Sequence, residues 1–278
     1  KVRGRKDLEN LSIPFIGEIP QYLSAKKKLG FDKHTQSVMK AIVVKEGNRN
    51  IINEAFRVLR SNIDFMAGKD SGQNVFMLTS FNPGSGKSFL AMNIAMSFAI
   101  KKKRILVIDG DLRHGSTSSY VDSPKTGLSD YLGNRVSDWK EIIVKDEKYD
   151  NLHIIPIGTV PPNPTELLED GKLATLIEVL RSEYDYIFID CPPIDIVADA
   201  QIIEKLADRT VFVVRSGLLD RSMLPELENI YQEKRFKNLS VILNGTESAG
   251  GRYGYRYGYR NGYSSYYGNK GKMGGVNG

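Results

Sequence analysis

The hydrophobic pattern of the chain is dominated by short, wholly apolar runs. NVFMLTS (74–80), RILVID (104–109), YIFID (186–190) and TVFVV (210–214) are the clearest, and LHIIPIG (152–158) and LSVILN (239–244) share their character. Runs this short that carry no alternation of polar residues predict strands buried on both faces. Between them, residues 87–100, 165–181 and 220–234 place apolar side chains at helical spacing. The alternation predicts an α/β fold: a mostly parallel sheet with helices on both faces.

The first part of the chain reads differently. FIGEIP (15–20) fits a short edge strand, limited by its proline. AKKKLGFDKH (25–34) reads as an exposed connection. Residues 48–66 predict a helix, with Asn50 as its cap and Ile52, Phe56, Leu59 and Ile63 along one face. Three segments are therefore expected: a leading juxtamembrane segment (1–45), the α/β domain (46–247) and a flexible tail (248–278). The tail is low in complexity and cannot build a core, so it is expected to be disordered.

Composition narrows the class. A chain of 278 residues with 41% hydrophobic positions can hold one large α/β domain plus extensions. It has no apolar run near the roughly 18 residues of a membrane helix and no signal-peptide pattern. The single cysteine, Cys191, excludes an internal disulfide framework and suits a reducing compartment. The chain starts at Lys1 rather than methionine, as a fragment would, and its basic stretch KVRGRK is of a kind that often flanks a membrane helix, although composition alone favours an ordinary solvated end. The net charge is +6, and Arg252, Arg256, Arg260, Lys270 and Lys272 follow Glu247 with no acid among them. Seven of the 14 tyrosines lie there too: Tyr253, Tyr255, Tyr257, Tyr259, Tyr263, Tyr266 and Tyr267. A basic aromatic tail suits nucleic acid, an acidic membrane surface or modification of its hydroxyls.

The chemistry lies in three elements. PGSGKS (83–88) falls between a predicted strand and a predicted helix, the context a phosphate-binding loop requires. There Pro83, Gly84, Ser85, Gly86, Lys87, Ser88 and Phe89 are the ATP-binding candidates. Glycines let the backbone turn its N–H groups toward phosphate, and Lys87 can reach the β- and γ-phosphates. The first glycine of the usual GxxxxGK[ST] pattern is replaced by Phe81. In ILVIDGDLR (105–113), Asp109 and Asp111 stand at a strand's C-terminal end, where open α/β sheets bind ligands. One carboxylate can serve Mg²⁺ and the other can accept a proton. In YIFIDCPP (186–193), Asp190 ends an apolar strand as a Walker B aspartate does. Ser88, Asp111 and Asp190 are the Mg²⁺ candidates; Lys87, Asp109, Asp111 and Arg113 are the catalytic ones. Asp109 is the preferred base, although it and Asp111 can exchange roles. Cys191 reads as a small packing residue.

These residues resemble the bacterial tyrosine kinases, in particular the cytoplasmic kinase domain of Wzc-like polysaccharide co-polymerases. PGSG, DGDLR, IDCPP, PPNPTELL (161–168) and the tyrosine cluster carry the likeness, and EAFRVLR (54–60) is similar to the family's ExxRxxR motif. The resemblance implies an ATP- and Mg²⁺-dependent tyrosine kinase that phosphorylates its own tail tyrosines between subunits of a ring. It implies a ring interface at Glu54, Arg57 and Arg60, and an adenine contact at Asn244. It further implies a missing periplasmic domain with two membrane helices, a place at the cytoplasmic face of the inner membrane, and partners in polysaccharide export and a tyrosine phosphatase rather than nucleic acid. Two other classes share the loop. A ParA/MinD-type ATPase would carry a signature lysine where Asn82 stands, and a nucleotide-gated scaffold would bind partners without kinase chemistry.

Overall fold

The computed structural model of the protein describes residues 1–22, 41–68, 72–194 and 198–247. Eight strands form one sheet: β1 (Phe15–Pro20), β2 (Val75–Thr79), β3 (Ile105–Asp109), β4 (Val144–Lys145), β5 (Leu152–Ile155), β6 (Tyr186–Asp190), β7 (Arg209–Arg215) and β8 (Leu239–Thr246). Their spatial order is β1-β8-β7-β2-β6-β3-β5-β4. Every pairing is parallel except β4 with β5 at one edge.

Alternate residues of the central strands feed two hydrophobic layers. Val75, Met77, Leu106, Ile108, Ile187 and Ile189 enter one. Phe76, Leu78, Ile105, Val107, Phe188 and Val211 enter the other. This is why the runs look apolar throughout rather than alternating. Helices α1 (Ile51–Ala67) and α2 (Lys87–Ala99) cover the second layer. The first is covered by α5 (Lys172–Glu183), α6 (Asp199–Glu204) and α7 (Leu224–Gln232), with the short α3 (Leu128–Leu132) and α4 (Pro164–Glu169) also contributing. Helix α1 starts as its sequence predicts: Asn50 accepts from the Asn53 N–H at 2.9 Å. Its Phe56, Leu59 and Ile63 are fully buried, each contributing about 1.5–3 kcal/mol.

Several expected elements differ in extent. The strand expected over 152–158 stops at Ile155, because Pro156 has no N–H to donate to a ladder. The helix expected over 165–181 is broken at Gly171, whose φ is +82°, into α4 and α5. The helix expected over 220–234 begins as a 3₁₀ turn, Arg221–Met223, before α7. The leading segment is not a separate piece up to residue 45. Val2, Leu8 and Ile13 are buried in the core, and β1 pairs along β8. Residues Lys1–Thr246 form one unit. The expected connection at 25–34 and the tail tyrosines Tyr253, Tyr255, Tyr257, Tyr259, Tyr263, Tyr266 and Tyr267 lie outside the described residues. No helix among the described residues is long and apolar enough to cross a membrane.

Candidate functional site

The sheet order places β2, β6 and β3 side by side, all running the same way. Their C-terminal ends therefore bring three distant sequence segments to one edge. The loop after β2 carries PGSGKS and runs into α2 at Lys87. Gly86 stands at φ +92°, and a Cβ there would lie 2.2 Å from the Asn244 amide nitrogen. That amide donates from Nδ2 to the Ser85 carbonyl at 2.9 Å. Ser85 Oγ in turn donates to the Asn82 carbonyl at 2.8 Å. Phe81, the departure from the usual loop pattern, is buried and packs edge-on against Phe212 at 4.9 Å. It anchors the loop's start in the core, a role a glycine would not fill.

Asp109 and Asp190 are directly opposite each other across β3 and β6. Gly110 donates from its N–H to the Asp190 carbonyl at 2.8 Å, and a Cβ at Gly110 would come within 3.0 Å of that oxygen. The glycine between the two carboxylates of DGD thus permits close approach to β6. Asp109 Oδ2 accepts from the Ser118 N–H at 2.6 Å and the Ser118 hydroxyl at 2.7 Å. Asp190 Oδ2 accepts from the hydroxyls of Ser88 and, at 2.8 Å, Thr117. Asp111 Oδ1 accepts from the N–H groups of Arg113 at 3.2 Å and His114 at 3.3 Å.

Burial is the main influence on the charges here. It pushes Asp109 upward, with the neighbouring Asp190 carboxylate adding to the effect. It also pushes Asp190 up, against the attraction of Lys87. It pushes the Lys87 ammonium down, opposed by Asp190 and Asp111. Lys87 Nζ donates to Ser80 Oγ at 3.3 Å. The second oxygens of Asp109 and Asp190 are buried without a hydrogen-bond partner among the described residues. The Asp190 orphan, beside a phosphate-type loop, fits a bound cation and its water shell. No group of three or more His, Cys, Asp or Glu among the described residues forms a metal cage. Mg²⁺ needs none: it is usually held by one or two carboxylates together with substrate phosphates.

Arg113 turns its side chain to α4 and α6. Its Nε donates to Asp199 Oδ2 at 3.3 Å and its Nη2 to Thr165 Oγ1 at 3.0 Å, while Thr165 donates to Asp199 Oδ1 at 2.7 Å. The aspartate its side chain engages is therefore Asp199, fully buried at the start of α6, while only its backbone N–H reaches Asp111. Sequence reasoning missed Asp199, Thr117 and Ser118; the hydroxyl run directly after DGDLR was the available signal for the last two. Cys191 is fully buried, as a packing residue should be. Asn244, expected at adenine, spends its amide on the loop. It also lines a cleft of about 50 Å³ with Pro20, Tyr22, Phe89 and Arg215.

The helix α1 motif makes contacts within the chain. Arg57 Nη1 donates to Glu54 at 2.6 Å and its Nη2 to the Asn48 carbonyl at 2.8 Å. Arg60 donates to the Ser97 carbonyl on α2 at 2.9 Å.

Fold and site define a P-loop nucleotide-binding α/β protein. Residues 73–219 match the AAA domain family. The chain is 34% identical over 210 residues to the tyrosine-protein kinase YwqD of Bacillus subtilis, an alignment covering 74% of this chain and 87% of that one. The kinase domain of the Escherichia coli tyrosine kinase ETK superposes with a TM-score of 0.74 at 27% identity, over 93% of this chain and all (100%) of that one. A Klebsiella pneumoniae relative, named as a tyrosine-protein kinase in a cps region, is 34% identical over 87% of this chain, which spans 33% of that longer protein. The chain belongs to the bacterial tyrosine kinase family.

Proposed function

We propose that this protein is an ATP-dependent protein-tyrosine kinase whose acceptors are the tyrosines of its own C-terminal tail. The observation that carries the reading is the meeting of Lys87, Ser88, Asp109, Asp111 and Asp190 at the end of three adjacent parallel strands, in a chain whose tail holds seven tyrosines. Phosphoryl transfer depends on positioning and charge neutralisation more than on covalent help. The backbone N–H groups from Gly84 to Ser88, at the start of α2, would cradle the phosphates, and Lys87 would oppose their charge. Ser88, Asp111 and Asp190 would hold Mg²⁺, which supplies charge neutralisation on the phosphates when bound. Phe89 and Asn244 would border the base in the small cleft beside the loop.

Asp109 is the proposed proton acceptor for the phenol, whose ordinary pKa is near 10. Its orphaned oxygen leaves one site for the incoming proton, and the raised proton affinity that burial gives it suits a base. Ser118 holds the other oxygen and fixes the carboxylate plane. Arg113 acts at one remove, tying the loop after β3 to α4 and α6 through Thr165 and Asp199.

The fuller reading places this domain at the cytoplasmic face of the inner membrane, joined to a membrane part. There it forms a ring in which the tail of one subunit enters the site of the next, with Glu54, Arg57 and Arg60 at the interface. Its cycle of phosphorylation, reversed by a tyrosine phosphatase, would regulate polymerisation and export of an exopolysaccharide; the cps-region relative supports that setting. Incubation with γ-labelled ATP and Mg²⁺ tests the core of it. Label on tail tyrosine is the expected result. Release of free phosphate without protein label would make the protein an ATPase and overturn the kinase reading.

A further inference from the structure

One short turn reaches both of the carboxylates that face each other across β3 and β6. Asp109 and Asp190 are opposite in register, and both are buried. Thr117 and Ser118, adjacent in the chain, each give a hydroxyl to one of them. Thr117 Oγ1 donates to Asp190 Oδ2 at 2.8 Å, and Ser118 Oγ to Asp109 Oδ2 at 2.7 Å. Ser118 orients Asp109, the proposed base. The Thr117 hydroxyl has no such assignment.

Three observations give it one. Thr117 is fully buried and stands directly before the 3₁₀ turn Ser118–Val121. A threonine there ordinarily bends its hydroxyl back onto the turn's own N–H groups. Thr117 makes no such bond, and its hydroxyl goes to Asp190 instead. Next, Asp190 Oδ2 also accepts from Ser88, which belongs to the phosphate loop and α2. Donors from two separate elements fix a carboxylate that otherwise turns easily about its Cβ–Cγ bond. They occupy one oxygen and leave Oδ1 as the buried oxygen without a partner among the described residues. Finally, the turn is itself held. The Ile157 N–H donates to Ser118 Oγ at 2.8 Å. Gly115 takes φ +60°, and a Cβ there would lie 2.7 Å from Ile157 Cδ1. A donor on a fixed turn imposes its geometry on the acid, whereas one on a loose loop would follow the acid.

We propose that Thr117 is a positioning residue for the metal site: by holding Oδ2 together with Ser88, it keeps Asp190 turned so that Oδ1 is open to the Mg²⁺ that accompanies the nucleotide. This rests on the reading of Asp190 as an Mg²⁺ ligand. Groups that hold a metal-binding carboxylate contribute about ten- to a hundredfold to metal affinity. Thr117 is not itself assigned to the nucleotide. Its loss should therefore appear in the metal dependence of nucleotide binding, and not in binding of the nucleotide alone.

The full chain is titrated with ADP by calorimetry, once in EDTA and once in saturating Mg²⁺. The ratio of the two affinities measures how strongly the metal and the nucleotide support each other. Thr117→Val keeps the shape and loses the hydroxyl, Thr117→Ser keeps the hydroxyl, and Thr117→Ala loses both. Thermal melts in EDTA report the fold. The Mg²⁺ enhancement is expected to fall by about tenfold or more in the valine and alanine variants and to stay near the parent's in the serine variant. ADP affinity in EDTA is expected to be alike in all four. Thr117→Ser and Thr117→Ala differ only in the hydroxyl, so this pair carries the comparison even where valine prevents folding. An equal enhancement in these two overturns the proposal, whether both match the parent or both have lost it. A loss of ADP affinity already present in EDTA marks a structural role and also overturns it. Absence of any Mg²⁺ enhancement in the parent overturns the metal assignment of Asp190, and the proposal with it.

Discussion

Asn244 and Ser85 stand 159 positions apart, yet the Asn244 amide donates to the Ser85 carbonyl at 2.9 Å. The last strand of the sheet thus holds the phosphate loop from beside it, at the point where Gly86 turns the chain into α2. A hydrogen bond of this kind contributes about 0.5–1.5 kcal/mol. Asn244→Ala should therefore weaken nucleotide binding by roughly two- to tenfold, with a stability loss of about 1 kcal/mol. Titration with a fluorescent ATP analogue and a thermal melt measure the two effects. Unchanged affinity would mean that the loop keeps its shape without the clamp.

Lys87→Met should abolish tail phosphorylation and leave the fold intact. The ammonium makes one long hydrogen bond, to Ser80 at 3.3 Å, so little structure depends on it. Burial already disfavours its charge, and a methionine of similar length removes that cost. Phosphotyrosine blotting after ATP incubation, with circular dichroism alongside, decides the matter; a persistent signal in the purified variant sinks the assignment.

Asp109→Asn and Asp111→Asn should both suppress transfer, by about a hundredfold or more for the one that serves as general base. They should differ in binding. The Asp109 variant keeps its hydrogen bonds to Ser118 through the amide oxygen and should bind ATP–Mg²⁺ nearly as the parent does. The Asp111 variant should bind it more weakly. Normal phosphorylation in both would reduce DGD to a turn.

Replacing Glu54, Arg57 and Arg60 together by alanine should weaken oligomers and lower phosphorylation between chains. Because Arg57 and Arg60 also bond to backbone carbonyls within the chain, the triple variant mixes two effects. Glu54→Ala separates them, since a half-exposed i,i+3 pair is worth only about 0.2–0.5 kcal/mol. Light scattering should give a lower mass for the triple variant and for Glu54→Ala, with an unchanged melt for the latter. Equal masses for parent and variants would remove these residues from the interface.

Full phosphorylation of the seven tail tyrosines should dissociate the ring. Each phosphate adds about −1.5 to −2 charges, so seven add roughly −10 to −14 to a chain of net charge +6. A tail so modified is repelled by a crevice carrying Asp109, Asp111 and Asp190. Solution mass before and after ATP–Mg²⁺ is the measurement, with Phe at all seven positions as the control. A phosphorylated protein as oligomeric as that control would leave charge repulsion without a role.

Much of this molecule is legible in its sequence, for local reasons. Runs such as VFMLT and YIFID are too short for helices and have no polar side, so they must be strands buried on both faces. Asn50 caps α1 because its carboxamide is three residues before a free N–H. PGSGKS, DGDLR and IDCPP announce a nucleotide site because each combines a strand end with residues that suit phosphate or Mg²⁺. What stayed hidden was partnership. Nothing local marks Ser118 as the group that holds Asp109, or Asp199 as the partner of the Arg113 side chain. The chain order also conceals that the leading residues Val2, Leu8 and Ile13 are core.

The sequence by itself determined the class of fold, the strand and helix types and the residues able to do phosphate chemistry, because these depend on hydrophobic period and side-chain type within a few neighbours. Only the tertiary structure decided which of them meet. The order β7-β2-β6-β3 puts Asp109 opposite Asp190 and Ser88 against it, and the return of β8 beside β7 brings Asn244 to Ser85. Those meetings arise from packing both faces of one sheet at once, a constraint that acts across the whole chain and leaves no mark on any single segment.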